Sequence, residues 1–236
     1  MTAPLVTAIC PTLWPERAWC LPLAAANLEA QDLAGRWVEL LVGTDCDSAT
    51  LVGELMKTVS GRARLMGYRR DRTLGEKRAL LCSEARGEWI AFWDDDDWKP
   101  PYHLATAIAE CEHQGADLIA HDAGFFVDLV AWKAYRYLGM SIGTSLVFRK
   151  SVLERVPIPS RDRGEDTMFL AHCREAGVRI ARPFGADVVA FCHGQTTGRE
   201  WPPRVPEYRE VPMDRVRELM GEELGRWVAA YGYGGS

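Results

Sequence analysis

The chain has 236 residues, enough for one large domain or two small ones. A hydrophobic share of 47% and a charged share of 26% are ordinary for a globular protein. A formal net charge of −5 argues against a broad nucleic-acid surface, which needs clustered cations to displace counterions. No apolar run approaches the roughly 20 residues of a membrane span.

Residues 5–10 are a short apolar run ending in Pro11 and Thr12, and they read as a buried strand. A helix is expected over 15–30, with Pro15 in its first turn and Pro22 as a kink. Residues 37–42 form a second apolar run, stopped by Gly43, Thr44 and Asp45. Helical spacing follows over 48–59, with Leu51, Leu55 and Val59 on one face. A third strand is expected at 64–68. Thr73 and Glu76 then have the spacing of a capping box, which predicts a helix to about residue 85. A fourth strand, 88–93, runs into four consecutive aspartates at 94–97.

Beyond residue 100 the pattern predicts a helix over 101–114 and a strand over 117–121. The aromatic-rich stretch 125–137 reads as extended, and 145–148 as a strand. An amphipathic helix over 165–176 and short strands at 179–181 and 188–191 follow. A proline-rich stretch, 201–212, leads to one last helix over 214–231. This organisation suggests one domain over 1–200, in two halves of about 1–98 and 99–200, and a C-terminal extension over 201–236 with one helix. The last helix carries Val216, Leu219, Met220, Leu224 and Trp227 near one face. That face packs on its own domain or, as the alternative, on a partner subunit in a homodimer.

Strands alternating with helices imply a mostly parallel, Rossmann-like sheet with helices on both faces. Ligands of such sheets gather beyond the carboxyl ends of the strands. Thr12 with Trp14, Asp45 with Asp47, and the aspartate run all fall there. Contiguous carboxylates raise one another's pKa unless a cation compensates. Hard oxygen ligands select magnesium, manganese or calcium. An EF-hand needs a glycine at its sharp turn, and FWDDDDWKPP has none. Magnesium takes few protein ligands and fills its shell from phosphates and water, so the run suits a metal–diphosphate site. The rival reading is a solvated acidic turn between structural tryptophans.

The stretch LGEKRALLCSEARGEWIAFWDDDDWKPPYHL resembles the family 2 glycosyltransferases, whose fold is the GT-A fold. VTAICPT, VELLVGTD and RGEDTMFLAHCREAGVRI resemble segments of that family in the same order. The resemblance spans roughly residues 5–195. It implies a nucleotide-sugar donor such as a UDP-sugar, a Mn²⁺ or Mg²⁺ ion, an acceptor hydroxyl and inversion at the anomeric carbon. By the same resemblance Thr12 lies where the first strand meets the nucleotide, and Asp45, with Asp47 as the alternative, meets the base. Asp94 faces the ribose. Asp96 is the metal ligand of the Asp-x-Asp motif, with Asp95, on the nucleotide-sugar side, and Asp97 as further members. The chain departs from the family at Leu13, where an aromatic residue is common, and Trp14 is the substitute stacking surface. It departs again at Ala79, where asparagine is usual.

Lys77 and Arg78 are expected beside the diphosphate. On the residues alone a solvated basic face serves equally well, since Arg62, Arg64, Arg69, Arg70 and Arg72 precede them. Glu165 and Asp166 open a helix, where the dipole favours an ionised carboxylate and where aspartate is also a common N-cap. The resemblance makes Asp166 the catalytic base and Glu165 an acceptor-binding neighbour. It also places Gly143, Thr144 and Ser145 on the acceptor side. His193 completes the metal shell or is an ordinary hydrogen-bonded histidine. Trp98, Trp132 and Trp201 are candidates for sugar contact.

A nucleotidyltransferase would carry a glycine-rich basic segment after the first strand, and CPTLWPERAW is not one. A catalytically inactive GT-A-like module is the third reading, opposed by the presence of Asp94, Asp96 and Asp166 together. Seven widely spaced cysteines without a Cys-x-x-Cys pair read as buried thiols in a reducing cytoplasm. The opening Met-Thr-Ala-Pro-Leu has no basic n-region, and no signal peptide is expected.

Overall fold

The structure is a computed structural model that describes residues 4–13, 15–17, 19–45, 62–139, 142–183, 188–193 and 207–232. The helix expected over 48–59, and Trp14, Asp47 and Trp201, lie outside the described residues.

Seven strands build the main sheet: β1 (Val6–Pro11), β2 (Val38–Thr44), β3 (Ala63–Gly67), β4 (Trp89–Phe92), β6 (Leu118–Ile119), β9 (Val147–Arg149) and β10 (Ile180–Ala181). Their order is β10-β6-β9-β4-β1-β2-β3. β1 pairs in parallel with β2 and β4, and β2 in parallel with β3. β9 runs antiparallel to both its neighbours. Central parallel strands are covered on both faces, which is why β1 is buried throughout and reads as an apolar run interrupted by Thr7.

Six described α-helices are α1 (Leu21–Glu29), α2 (Leu74–Glu84), α3 (His103–Gln114), α4 (Glu165–Glu175), α5 (Asp214–Met220) and α6 (Glu223–Ala230). Ala8 and Cys10 of β1 pack with Leu21 and Leu28 of α1 and Leu104 and Ile108 of α3. Ile9 points the other way, into a core with Leu81 of α2 and Phe169 and Leu170 of α4. The period-2 alternation of the strand thus serves two apolar layers.

A second sheet was not foreseen. It holds β5 (Asp97–Trp98), β7 (Ala123–Asp128), β8 (Lys133–Leu138), β11 (Val188–Cys192) and β12 (Tyr208–Val211), in the order β12-β8-β7-β11-β5. The extended stretch 125–137 is a hairpin of β7 and β8. Its turn is held by Asp128 Oδ1, which accepts from the Val130 and Ala131 amides at 2.9 and 2.8 Å. β12 emerges from the tail of the proline-rich stretch. Phe191 and Trp98 of this sheet pack against Val216 of α5 and Trp227 of α6. The apolar face of the C-terminal helices is therefore covered by the chain itself.

Two helix expectations are corrected. The helix placed at 15–30 begins only at Leu21, and 15–17 form a turn. Pro22 lies in its first turn, where a missing N–H disturbs no hydrogen bond, so it starts the helix instead of kinking it. The single last helix is two, because Gly221 at φ +58° closes α5 in a conformation that strains other residues. No described helix is long and apolar enough to cross a membrane.

Candidate active site

The four aspartates sit where the chain leaves one sheet for the other. β4 ends at Phe92, and Asp97 is already in β5, opposite Ala190 of β11. The turn between sends successive carboxylates to different partners. Asp94 Oδ1 accepts from Arg78 Nη2 at 2.6 Å. Asp95 Oδ2 accepts from Thr12 Oγ1 at 2.5 Å, and its Oδ1 lies 2.7 Å from Arg17 Nη2. Asp96 Oδ2 meets the same Arg17 nitrogen and lies 3.3 Å from His193 Nε2. Asp97 is buried, with Lys99 and Thr144 as neighbours.

Three cations inside the protein thus face the run: Arg17, Arg78 and Lys99. Their effects on the carboxylates differ. Burial pushes Asp95 up to about 7, against the pull of Arg17. Asp96 is also buried, but Arg17 and His193 more than offset that and hold it down at about 2. Burial, with Asp96 and Asp94 nearby, raises Asp97 well above the usual carboxylate range. Asp95 and Asp96 share Arg17, so they gain and lose protons as a pair and not one by one.

The walls around the run are tightly held. Asn27 of α1 clamps the chain just beyond it, donating to the Lys99 carbonyl at 2.7 Å and accepting from the Lys99 amide at 3.0 Å. The fully buried Lys99 ammonium lies over the Trp93 ring and donates to Thr144 Oγ1 at 2.9 Å. Burial lowers its pKa, against Asp97. Tyr231, just past α6, donates to the Asp96 carbonyl at 2.9 Å. Its ring, with that of Trp19, flanks His193. The C-terminal segment thus reaches the acidic run directly.

The opposite wall comes from α2 and α4. The capping box expected at the start of α2 is present: the Glu76 amide donates to Thr73 Oγ1, and the Thr73 amide to Glu76 Oε2 at 2.8 Å. Gly75 lies under the chain that leads to α4, and a Cβ there would fall 1.9 Å from the Pro159 carbonyl oxygen. The Gly75 amide donates to the Arg161 carbonyl at 2.9 Å, and the Leu74 amide to Asp162 Oδ1 at 3.1 Å. This docking sets Glu165 above Arg78, whose Nη1 donates to Glu165 Oε1. Burial raises Glu165 to about 7, against Arg78. Asp166, the next residue, is only half-buried and lies against Gly143.

Between these walls is a cavity of about 330 Å³ lined by Asp94, Asp96, Arg78, Gly143, Glu165 and Asp166, among others. A second cavity, about 410 Å³, lies beside it and includes Thr12, Leu13, Tyr68 and Lys77. Arg17 lines both. Tyr68 donates to the Thr12 and Gly43 carbonyls at 2.8 and 2.9 Å, and Lys77 Nζ lies 5.2 Å from its ring centroid. Asp45, past the end of β2, meets Arg70 Nε at 3.3 Å and is among the charges that, after burial, raise the Tyr68 pKa.

Arg78, Asp94, Asp95, Asp96, Glu165 and Asp166 line one cavity, and Thr12 and Lys77 line its neighbour, whereas His193 lines neither and adjoins the site through Asp96, and Asp45 lines neither and stands against Arg70. Arg78 does not stand on a solvated face; it is buried and bridges Asp94 to Glu165. Trp98 is core, and Trp132 is exposed on the β7–β8 turn. Arg17, Lys99 and Tyr231 escaped the sequence reading. Arg17 and Tyr231 meet partners far away in the chain, and Lys99 looks like an ordinary surface lysine beside two prolines.

Among the described residues no group of three or more carboxylates, histidines or cysteines is arranged to hold a metal ion. Asp96 and His193 offer two adjoining donors of suitable chemistry, and the cavity gives room for diphosphate oxygens. That donor set fits a magnesium- or manganese-like ion completed by substrate and water.

A parallel sheet with one reversed strand, an acidic run at the end of its fourth strand and a second sheet beside it define an α/β protein of the GT-A class. The family model for glycosyl transferase family 2 matches residues 38–158, and the chain belongs to that family. A comparison with curated proteins returned no match. Among solved structures, the mannosyltransferase PcManGT from Pyrobaculum calidifontis, in complex with GDP-Man and Mn²⁺, is similar with a TM-score of 0.63 at 17% identity; the match covers 100% of this chain and 66% of that one. S. aureus TarS 1-349 in complex with UDP-GlcNAc is similar with a TM-score of 0.58 at 18% identity, over 81% of this chain and 60% of that one. At such identities the likeness is one of fold. The chain spans less than two thirds of either.

Proposed function

We propose that the protein is an inverting glycosyltransferase that moves a sugar from a nucleoside diphosphate sugar, with UDP as the nucleotide, to an acceptor hydroxyl. The observation that carries this reading is the placement of Asp166 and the Asp94–Asp96 turn across one cavity. The nucleoside enters the side of Thr12, Tyr68, Lys77 and Asp45, and Asp94 faces its ribose. Asp96 and His193 hold a Mn²⁺ or Mg²⁺ ion with the diphosphate, and Asp95 supports them. When bound, that ion offsets the charge that develops on the leaving diphosphate.

The chain's own residues do the rest. Asp166 accepts the acceptor's hydroxyl proton as the acceptor oxygen bonds to the anomeric carbon. The carbon–oxygen bond to the diphosphate breaks on the opposite face, and its electron pair leaves with the diphosphate. Glu165 stays with Arg78 and holds the start of α4 in place. The solved structures holding UDP-GlcNAc and GDP-Man on this fold support a nucleotide-sugar donor. The six described cysteines are buried free thiols, which suits a reducing compartment.

Calorimetry with UDP, with and without Mn²⁺, combined with hydrolysis of a panel of UDP- and GDP-sugars, tests the proposal. Metal-dependent UDP binding and slow release of UDP from one donor are expected. Absence of nucleotide binding overturns the proposal, and preference for a GDP-sugar overturns the choice of base.

A further inference from the structure

We propose that Arg17 is the resident counter-cation of the Asp95–Asp96 pair, and that it yields the pair to a divalent ion only when a diphosphate arrives to receive its guanidinium. This rests on the donor-site reading above. It assigns a role to a residue outside the family-like motifs.

Four observations carry it. Arg17 is 7% exposed, although it stands on a turn ahead of α1 and not in a helix. Its Nη2 serves both carboxylates, and on Asp96 it uses Oδ2, the oxygen that also faces His193. A metal ion bound at that oxygen would meet the guanidinium's positive charge at close range. The Arg17 Nε is buried without a hydrogen-bond partner among the described residues. The side chain also lines both cavities, so it borders the space a diphosphate would fill.

These facts make metal and diphosphate interdependent. A metal entering alone meets the Arg17 charge beside Asp96 and takes from the buried guanidinium one of its two carboxylate partners, which is unfavourable. A diphosphate entering alone brings its negative charge against the aspartates that line the cavity. When both enter, the metal takes the carboxylate, and the planar guanidinium takes phosphate oxygens in the paired geometry that arginine favours. The unmet Nε–H gains an acceptor in the same step. Each ligand thus raises the affinity for the other by one shared factor.

The test is Mn²⁺ binding to the whole chain, read from the electron paramagnetic resonance signal of free Mn²⁺, with and without UDP. Wild type is expected to bind Mn²⁺ weakly alone and about 10- to 100-fold more tightly with UDP. Arg17→Gln should bind Mn²⁺ alone about tenfold more tightly than wild type, and the enhancement by UDP should shrink by a similar factor. If Arg17→Gln does not fold, Arg17→Met, which also removes the charge and keeps an unbranched side chain, carries the test, with Mn²⁺ alone bound about tenfold more tightly than by wild type. If the folded variant binds Mn²⁺ alone no better than wild type, while UDP still enhances binding, this inference falls and the donor site stands. If no form binds Mn²⁺ even with UDP, both fall.

Discussion

Gly143 and Asp166 lie so close that a Cβ at position 143 would stand 1.7 Å from Asp166 Oδ2. Gly143 opens the one-turn 3₁₀ helix Gly143–Ser145, whose next residue, Thr144, accepts from the buried Lys99. The absence of a side chain at 143 thus decides where the proposed base rests. Gly143→Ala should push Asp166 away from the acceptor and lower turnover about 100-fold, since small misplacements of reacting groups have effects of that size. UDP affinity should stay within about twofold, because the nucleotide side is untouched. Steady-state kinetics and UDP calorimetry on the same preparation check both halves.

Asp166→Asn keeps the size of the side chain and removes its basicity. Turnover should fall by about 10²- to 10⁴-fold, the range for loss of a positioned general base. Binding of UDP with Mn²⁺ should be unchanged by calorimetry. Turnover equal to wild type removes Asp166 from the role.

Arg78 is the strongest structural ion of the site. It joins Asp94 to Glu165 and lies over the Phe92 ring, with its charge centre 4.4 Å from the centroid. Arg78→Leu leaves Glu165, 3% exposed, without its counter-ion. Breaking such a buried pair by removing one partner is destabilising by about 3–5 kcal/mol. Pairing Arg78→Leu with Glu165→Leu should recover part of that loss, since an apolar pair of similar bulk replaces two charges. Chemical denaturation of the single and double variants measures both. No recovery would show that Asp94, not Glu165, is the partner that matters.

The elements that follow from local pattern were legible in the sequence. The apolar runs mark β1, β2 and β4, and Thr73 with Glu76 marks the start of α2. The second sheet was not legible, because its strands meet through pairings distant in the chain: Asp97 with Ala190, and Tyr137 with Tyr208. The same limit applies to the charges. Four aspartates in a row announce a need for cations, but only the fold shows that Arg17, Arg78 and Lys99 come from three different places to face them. Gly221 was visible as a residue, yet the helical spacing on both sides hid the break it makes.

Glu165 links the site to pH. A glutamate in the unfolded chain titrates near about 4.3. Burial in the folded protein raises Glu165 to about 7 even with Arg78 alongside. Between those values the folded state holds the proton that the unfolded state has lost. Stability from this group is therefore complete below about pH 4 and declines as pH rises to about 7, above which it is constant. Glu165→Gln stays uncharged throughout and lacks this slope. The melting temperature of wild type minus that of Glu165→Gln should accordingly fall steadily from about pH 4.5 to about pH 7.5. The absolute offset between the two includes the altered contact with Arg78, so the trend is the quantity to read. A difference that is flat across that range, or that grows with pH, would show that the carboxylate is ionised at little cost and that Arg78 outweighs burial.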